Sequence, residues 1–487
     1  MDSPPAIIRL FWKAASGFGM FHFLGRMLLG QRLAAVAFLT VKAAFRYRLV
    51  VVLASLLMLT VVGLPVVIKD DGTARGLTQI LLTYTLGIIA TLLGFATLWL
   101  SCGTLARDIE ECQIQMVAVK PIARWQIWLG KWIGIMLVNV LLLTLSGGAV
   151  YFLIQWRAGK LKPEQQIVLR NEVLVGRGAA REKQADLAPQ VDKILADRLK
   201  DPKIAEMDRD FVRKEITEMV KASEQVVAPQ FRRRWIIDLS STLGSYRDRP
   251  LFLRVKFHAA KPTQREAFAA NWFIGPPETP KVRRYSFELA ADSHNEFPID
   301  SSLVDEQGKL TVEFWNFNDM ALLFPLEDGL EVLYHECGFG MNYVRGLMIV
   351  LLWIGLLAAL GLAAASFLTF PVAAFFSLSM LIVGLSGGTL SKVVEDRTVM
   401  PVNHETGRAA KNYADLVLVP AFTVLLKAVN LVEGFSPIDS LSSGRSISWR
   451  QIGLAAGQIG FLFSGAFAVF GMTLFSRREL ATAQANQ

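Results

Sequence analysis

The chain has 487 residues, 53% hydrophobic and 19% charged, with a mean hydropathy of +0.38. That balance excludes an ordinary soluble domain and points to a polytopic membrane protein. The formal charge of +9 does not imply a nucleic-acid partner: residues 156–340 hold 28 basic and 29 acidic residues, so the excess lies on the flanks of the apolar stretches.

Taken in chain order, the first 33 residues place Arg9, Lys13, Arg26 and Arg32 among short apolar stretches with no small-residue cleavage site. This predicts cytoplasmic or interfacial N-terminal helices over 1–48 rather than a cleaved signal. A bilayer core takes about 20 apolar residues per helix. Six stretches qualify: 49–68, 77–102, 132–155, 344–364, 371–389 and 453–476. A seventh, 413–432, carries Asp415, Pro420 and Lys427 and is expected to be re-entrant or interfacial. Basic residues flank the spans at Lys42, Arg46 and Arg48, at Arg107, Lys120 and Arg124, and at Arg477 and Arg478. Six crossings put all three clusters, and both termini, on the cytoplasmic side of the inner (cytoplasmic) membrane.

The domain expectation follows. Residues 49–155 hold spans one to three, and 341–487 hold spans four to six with the re-entrant segment. Between them, 156–340 forms an extracytoplasmic insert with its own fold. Its first part, 160–226, reads as helical, because Val191, Ile194, Leu195 and Leu199 fall at helical spacing. Its second part, 231–340, alternates as in "LFLRVKFHA" and "KLTVEFWNF", with turn signals "GPPETP" and "DEQGK" between runs. That pattern predicts a small β-sandwich. Trp272, Phe273, Phe314, Trp315 and Phe317 are candidates for its core, or for a ligand groove. The expected fold class is an α-helical six-span membrane protein with an α+β extracytoplasmic insert.

Three cysteines, Cys102, Cys112 and Cys337, do not make a disulfide framework, and the five histidines lack metal-ligand spacing. "LSGG" at 145–148 and 385–388 matches the signature tetrapeptide of ABC ATPases. The Gly-Lys pairs at 130–131, 159–160 and 308–309, however, are followed by Trp, Leu and Leu, so no phosphate-binding loop exists. Small residues that let helices approach explain both copies. "GLSG" at 384–387 resembles the nucleophile motif of intramembrane serine proteases, but its span has no histidine and His404 lies in a loop. No catalytic residue and no metal site is expected.

The most informative stretch is "ARDIEECQIQMVAVKPIARWQIWLGKW" at 106–132. Ahead of Pro121, Ile109, Cys112 and Met116 recur at i, i+3, i+7 while Arg107, Asp108, Glu110 and Glu111 face elsewhere, as in an amphipathic surface helix. After it, Trp125, Trp128 and Trp132 repeat the same spacing, the mark of anchors at the membrane interface. Two patterned segments with an acidic cluster suit a docking element for a cytoplasmic partner.

These residues resemble the cytoplasmic coupling segment of ABC-2 type transporter permeases, whose pattern is approximately R-E-I-E-x-G-T…KP-x-x-R…GKW. Asp108, Ile109 and Glu110 fall on the acidic core, Lys120, Pro121 and Arg124 on KP-x-x-R, and Gly130 and Lys131 on GK. Cys112 and Gln113 stand where Gly-Thr is common. "FSRREL" at 475–480 and "TVKAAFRYR" at 40–48 are similar to the family's closing motif and entry helix. The resemblance covers about 34–155 and 344–480 and leaves out the insert. It implies a permease subunit whose segment 104–124 couples to a separate ATPase, with ATP and Mg bound there and no cofactor in this chain. It also implies a homodimer or a second permease, contact with membrane lipids, and outward movement of a substrate. The six stretches are uncharged apart from Arg345 at the very start of the fourth, which favours a lipidic or amphiphilic cargo. The competing expectation is a membrane-anchored receptor or scaffold whose insert binds a partner or glycan without transport.

Overall fold

The computed structural model describes residues 30–46, 49–67, 74–114, 122–183, 186–200, 209–242, 249–261, 267–277, 279–396 and 415–478. Arg48, Met116, Lys120, Pro121 and His404 lie outside the described residues. Two compact units emerge, residues 175–338 and the remainder on either side of them. In chain order the helices are α1 (Gln31–Arg46), α2 (Leu49–Val67), α3 (Ala74–Glu110), α4 (Arg124–Gly159), α5 (Pro163–Glu172), α6 (Ala188–Arg198) and α7 (Arg209–Gln225). They continue as α8 (Phe339–Ala365), α9 (Phe370–Leu385), α10 (Gly387–Asp396), α11 (Asp415–Glu433), α12 (Pro437–Ser442) and α13 (Trp449–Arg477). Of these, α6 and α7 belong to the inserted unit.

The larger unit is helical. Among the described residues five of its helices are long and apolar enough to cross a membrane: Thr78–Glu110, Arg124–Gly159, Phe339–Ala365, Leu418–Ser442 and Trp449–Arg477. The pair α1 and α2, bent by 66°, makes a sixth if counted as one span. Helix α4 has 36 residues, about 54 Å at ~1.5 Å per residue, so it outreaches a hydrocarbon core of about 30 Å. Close approach fixes its partner. A Cβ on Gly130 would stand 2.7 Å from Val36 Cβ, and one on Gly134 would stand 2.6 Å from Thr40 Cβ. The glycine pair four residues apart is therefore the seat of α1, which lies along the first turns of α4.

Helix α3 runs unbroken to Glu110. The amphipathic helix expected from residue 104 is the end of this long helix. Ile109 continues the partly buried face of that helix, whereas exposed Cys112 lies beyond its end, so hydropathy alone saw a boundary where the backbone has none.

A second difference concerns 371–389 and 413–432. The former was expected to cross and the latter to be re-entrant. Instead α9 has 16 residues and ends at Ser386, just before Gly387 and Gly388, whereas Leu418–Ser442 has the length and composition of a span despite Pro420. The ends of the helices constrain the count. Phe370 sits beside Glu110, at the end where α3 finishes. Leu441 of α12 meets Gly346 near the start of α8, at the opposite end. Between Phe370 and Pro437 the chain thus passes from end to end an odd number of times. The start of α13 is fastened there as well. Asn342 donates to the Arg445 carbonyl and accepts from Ile447 N–H, both at 2.8 Å, and buried Arg345 donates to the Ile447 carbonyl. Arg345, the second residue of the fourth apolar stretch, is held by this loop and by the Trp449 ring, 4.8 Å away.

The inserted unit is built from two four-stranded antiparallel sheets, ordered β1-β11-β4-β8 and β3-β9-β6-β7, with a small third sheet of β2 (Val226–Val227), β10 (Leu322–Leu323) and β5 (His258–Ala259). The strands that matter below are β1 (Val175–Ala180), β3 (Arg232–Asp238), β4 (Leu251–Val255), β6 (Ala267–Ile274), β7 (Arg283–Ala290), β8 (Asn295–Ile299), β9 (Lys309–Trp315) and β11 (Leu330–Gly338). Leu253 and Val255, Trp235 and Ile237, Trp272 and Ile274, and Val312 and Phe314 enclose one apolar core between the two large sheets. This is the sandwich that alternation predicts. One face of the first sheet instead carries charge. Glu331, Arg254 and Glu296 stand opposite one another on β11, β4 and β8; Glu331 and Arg254 are buried, and the Glu296 side chain is 4% exposed. Arg177 on β1 bonds Glu296 at 3.1 Å, Arg254 pairs with Glu296, and Arg181 pairs with Glu331. Paired charges of this kind are tolerated because each head group finds a partner.

The segment 160–226 is not wholly helical. "VGRGAA" forms β1, paired with β11 from Val175↔Gly338 onward. Two glycines and two alanines give it no apolar alternation to read, and the pairing partner lies far along the chain. Helices α6 and α7 do pack on each other through Val191, Leu195, Val212, Ile216 and Val220, as their spacing predicts. Helix α5 belongs with α3 and α4, so the inserted unit starts at Val175 and not at 156. Residues 175–338 expressed alone are expected to unfold in one cooperative transition, followed by circular dichroism in urea. A broad, non-cooperative loss of signal would contradict an independent core.

Candidate functional site

The segments that carry the family resemblance meet at one end of the helical unit. The last turn of α3 supplies Arg107, Asp108 and Glu110, the first turns of α4 supply Arg124 and Lys131, and the end of α13 supplies Phe475 to Arg478. Lys131 is buried, with its side chain 7% exposed. Its ammonium pairs with Asp108 and donates to the Thr104 carbonyl at 2.9 Å. A lysine this enclosed needs such partners, because an unpaired buried ammonium is strongly disfavoured.

Arg124 caps a helix that is distant in sequence. Its Nη1 donates to the carbonyls of Phe475 (3.1 Å), Ser476 (2.8 Å) and Arg478 (2.7 Å). These are the orphan carbonyls at the C-terminus of α13, where the helix dipole favours a cation. Arg478 in turn donates to the Ser366 carbonyl at 3.2 Å, just past the end of α8. Glu110 supplies the complementary cap. Thr369 makes no side-chain cap for α9, and Pro371 has no N–H to offer. The Glu110 carboxylate accepts from Phe370 N–H at 2.8 Å and places negative charge at that N-terminus. Arg107 lies over the Phe370 ring, 4.4 Å from its centre.

The acidic cluster is therefore mostly engaged within the chain. Asp108 is taken by Lys131 and Glu110 by Phe370, so two of the three acids expected to face a partner are cross-helix links. Glu111 is exposed and accepts from Gln113 at 2.6 Å. Lys120 and Pro121 lie outside the described residues.

The three tryptophans do not form one lipid-facing stripe. Trp125 is 49% exposed, but Trp128 is fully buried, and Trp132 donates from its indole N–H to the Gly355 carbonyl at 3.1 Å. Gly471 makes room for Trp128: a Cβ there would stand 2.9 Å from Trp128 Nε1 and 2.9 Å from Ala363 Cα. Spacing at i, i+3, i+7 marks a face, and for Trp128 and Trp132 that face is turned into the bundle.

Cys112 adopts a left-handed conformation, φ +56°, directly after α3 ends. A side chain there is strained by about 1–2 kcal/mol, and a β-branched one suffers most. Cys112→Val is accordingly expected to lower stability by about 1 kcal/mol relative to Cys112→Gly. Thermal unfolding of the two variants in detergent checks this, and equal midpoints would show that the turn is absent.

Chemically, the described residues of the site form a set of helix caps and ion pairs. Among the described residues no three His, Cys, Asp or Glu side chains cluster as metal ligands. It ties the ends of α3, α4, α8, α9 and α13 together, and sequence reasoning missed Ser366, Phe370 and Phe475 because they take part through backbone atoms. No family model, curated protein or solved structure matches the chain.

Proposed function

We propose that the chain is the permease subunit of an ATP-driven exporter of the ABC-2 type, moved by a separate ATPase subunit. One observation carries this reading: three motif segments, around 107–111, 124–131 and 475–478, are bonded to one another at the same end of the helices. Such a junction suits a transmission element. A push on the 111–123 connection reaches α13 through Arg124 and α9 through Glu110, without any chemistry in the chain itself. The turn at Cys112 supports the same reading, because its positive φ explains why glycine is common at that place in the resembled pattern. The transporter is a homodimer or pairs with a second permease, and its cargo is lipidic or amphiphilic. ATP and Mg belong to the ATPase.

The test uses Glu111, whose carboxylate faces away from the bundle. Glu111→Lys reverses a charge at the proposed contact, where like-charge juxtaposition costs several kcal/mol. The variant is expected to insert and melt normally, yet to lose co-purification of the ATPase and ATP-dependent export. Full recruitment and export by this variant would sink the coupling reading and favour the receptor or scaffold alternative. Glu110→Gln serves as comparison: the amide still accepts from Phe370 N–H, so recruitment should persist.

A further inference from the structure

Strand alternation divides the insert's aromatics between two faces of the sheet β3-β9-β6-β7. Trp272 and Phe314 point inward and are fully buried, whereas Phe273 and Trp315, their chain neighbours, point outward. Phe317 follows, 48% exposed. The three outer rings are contiguous, with centroids 5.5 Å apart for Phe273 and Trp315 and 5.9 Å apart for Trp315 and Phe317. Phe273 and Trp315 are half-buried and Phe317 is exposed, so the outward face of this sheet presents one contiguous aromatic patch.

The polar groups around the rings are fixed in advance. In register across the sheet lie Arg232, Trp315, Asn271 and Ser286, and in the next row Arg234, Glu313, Phe273 and Arg284. Asn271 Oδ1 accepts from Arg284 (3.1 Å) and from Ser286 (2.9 Å). This pins the amide so that its Nδ2, which has no protein partner among the described residues, is left as a donor. Asn271 is itself only 9% exposed, so that donor sits at the floor of the face. Trp315 Nε1 is buried and has no hydrogen-bond partner among the described residues. Glu313 is taken by Arg234 and stands 3.9 Å from Arg232. Arg284 has no carboxylate partner among the described residues, and Glu288 lies four residues further along β7, opposite Ala269. The guanidiniums of Arg232 and Arg284 flank the rings at 5.8 Å from Trp315 and Phe273 respectively.

We propose that this outer face, formed by Phe273, Trp315 and Phe317 with Asn271, Arg232 and Arg284, binds an acidic saccharide, a sugar chain bearing uronate carboxylates. Pyranose rings present an apolar C–H face that stacks on an aromatic plane, and rigid aromatic area costs little conformational entropy to use. Their hydroxyls need a few placed donors and acceptors, which Asn271 and Ser286 supply. A guanidinium grips a carboxylate in a two-pronged geometry that fits Arg284 and Arg232. A neutral glycan would leave the Arg284 guanidinium unanswered, whereas Arg232 already stands 3.9 Å from Glu313. An apolar protein surface would bury Asn271 Nδ2 without a partner, which costs more than it gains. The site stands on the insert alone and does not depend on the permease reading.

The experiment titrates the detergent-solubilised full chain by calorimetry with tetragalacturonate, with cellotetraose as the neutral counterpart and poly-glutamate as a pure polyanion. Tetragalacturonate is expected to bind at least about tenfold more tightly than cellotetraose. Trp315→Ala, Phe317→Ala and Arg284→Gln should each weaken it by about tenfold or more, while Trp315→Phe, which keeps a ring, should stay within about threefold. Unchanged melting of the variants separates lost contact from lost fold, and Phe317, the most exposed ring, provides a second variant if Trp315→Ala melts early. No binding of tetragalacturonate up to millimolar concentration would overturn the proposal. So would binding that is indifferent to the ring substitutions. Equal or tighter binding of poly-glutamate, with the same sensitivity to Arg284→Gln, would also overturn it and mark the face as a dock for acidic protein segments.

Discussion

Asp108→Ala is expected to destabilise the protein by about 3–5 kcal/mol, because it strands a buried ammonium. The Lys131 side chain is 7% exposed, and without Asp108 only the Thr104 carbonyl remains to it. Removing the other partner is milder. Lys131→Met leaves the Asp108 carboxylate, 36% exposed, within reach of water. Its cost should fall near ~1 kcal/mol, in the range of a half-exposed ion pair. The double variant Asp108→Ala with Lys131→Met puts an apolar chain in an apolar site and should recover most of the loss. Thermal unfolding in detergent, followed by tryptophan fluorescence, measures all four proteins. Additive single effects, or equal ones, would mean that the two residues do not form a buried pair.

The second large effect lies in the insert. Trp272→Ala is expected to cost about 3–5 kcal/mol, as for other large-to-small changes at a filled core position. Trp272 is fully buried and meets Phe314 at 4.8 Å, Trp235 at 6.1 Å and Phe297 at 6.3 Å between centroids. Trp315→Ala, the same change on the outward face of the neighbouring strand, should cost less than about 1 kcal/mol. Urea unfolding of residues 175–338 distinguishes them by midpoint. Similar losses at both positions would show that the sheet is covered on both sides.

The sequence made the apolar lengths of α3, α4, α8 and α13 legible, because a long uncharged helix has one reading in a membrane. Alternation in "KLTVEFWNF" was legible for the same reason: a period of two assigns Leu310, Val312 and Phe314 to one face. What was not legible depended on partners far along the chain. Trp128 and Trp125 are identical in sequence terms, and residues of other helices bury the first of them, with Gly471 leaving room for its indole. Glu110 and Glu111 differ by one residue, yet one caps α9 and the other faces away. The end of α9 was missed because "LIVGLSGGTL" stays apolar through the glycine pair at which the helix breaks. The strand β1 was missed because its reason lies in β11, over 150 residues later.

The pairing of Val175 with Gly338 has one further consequence. These are the first and last residues of the inserted unit, and they sit opposite each other on adjacent strands. The chain therefore leaves and re-enters the helical unit across a single strand spacing, about 5 Å, a gap that a two-residue turn spans. In topological terms the insert is a closed loop hung from one point: its presence adds a whole sandwich to the protein while leaving the separation of Leu174 from Phe339 no greater than in a tight hairpin. Such an attachment makes the domain exchangeable as a unit, since any domain whose two ends lie one strand spacing apart meets the same requirement.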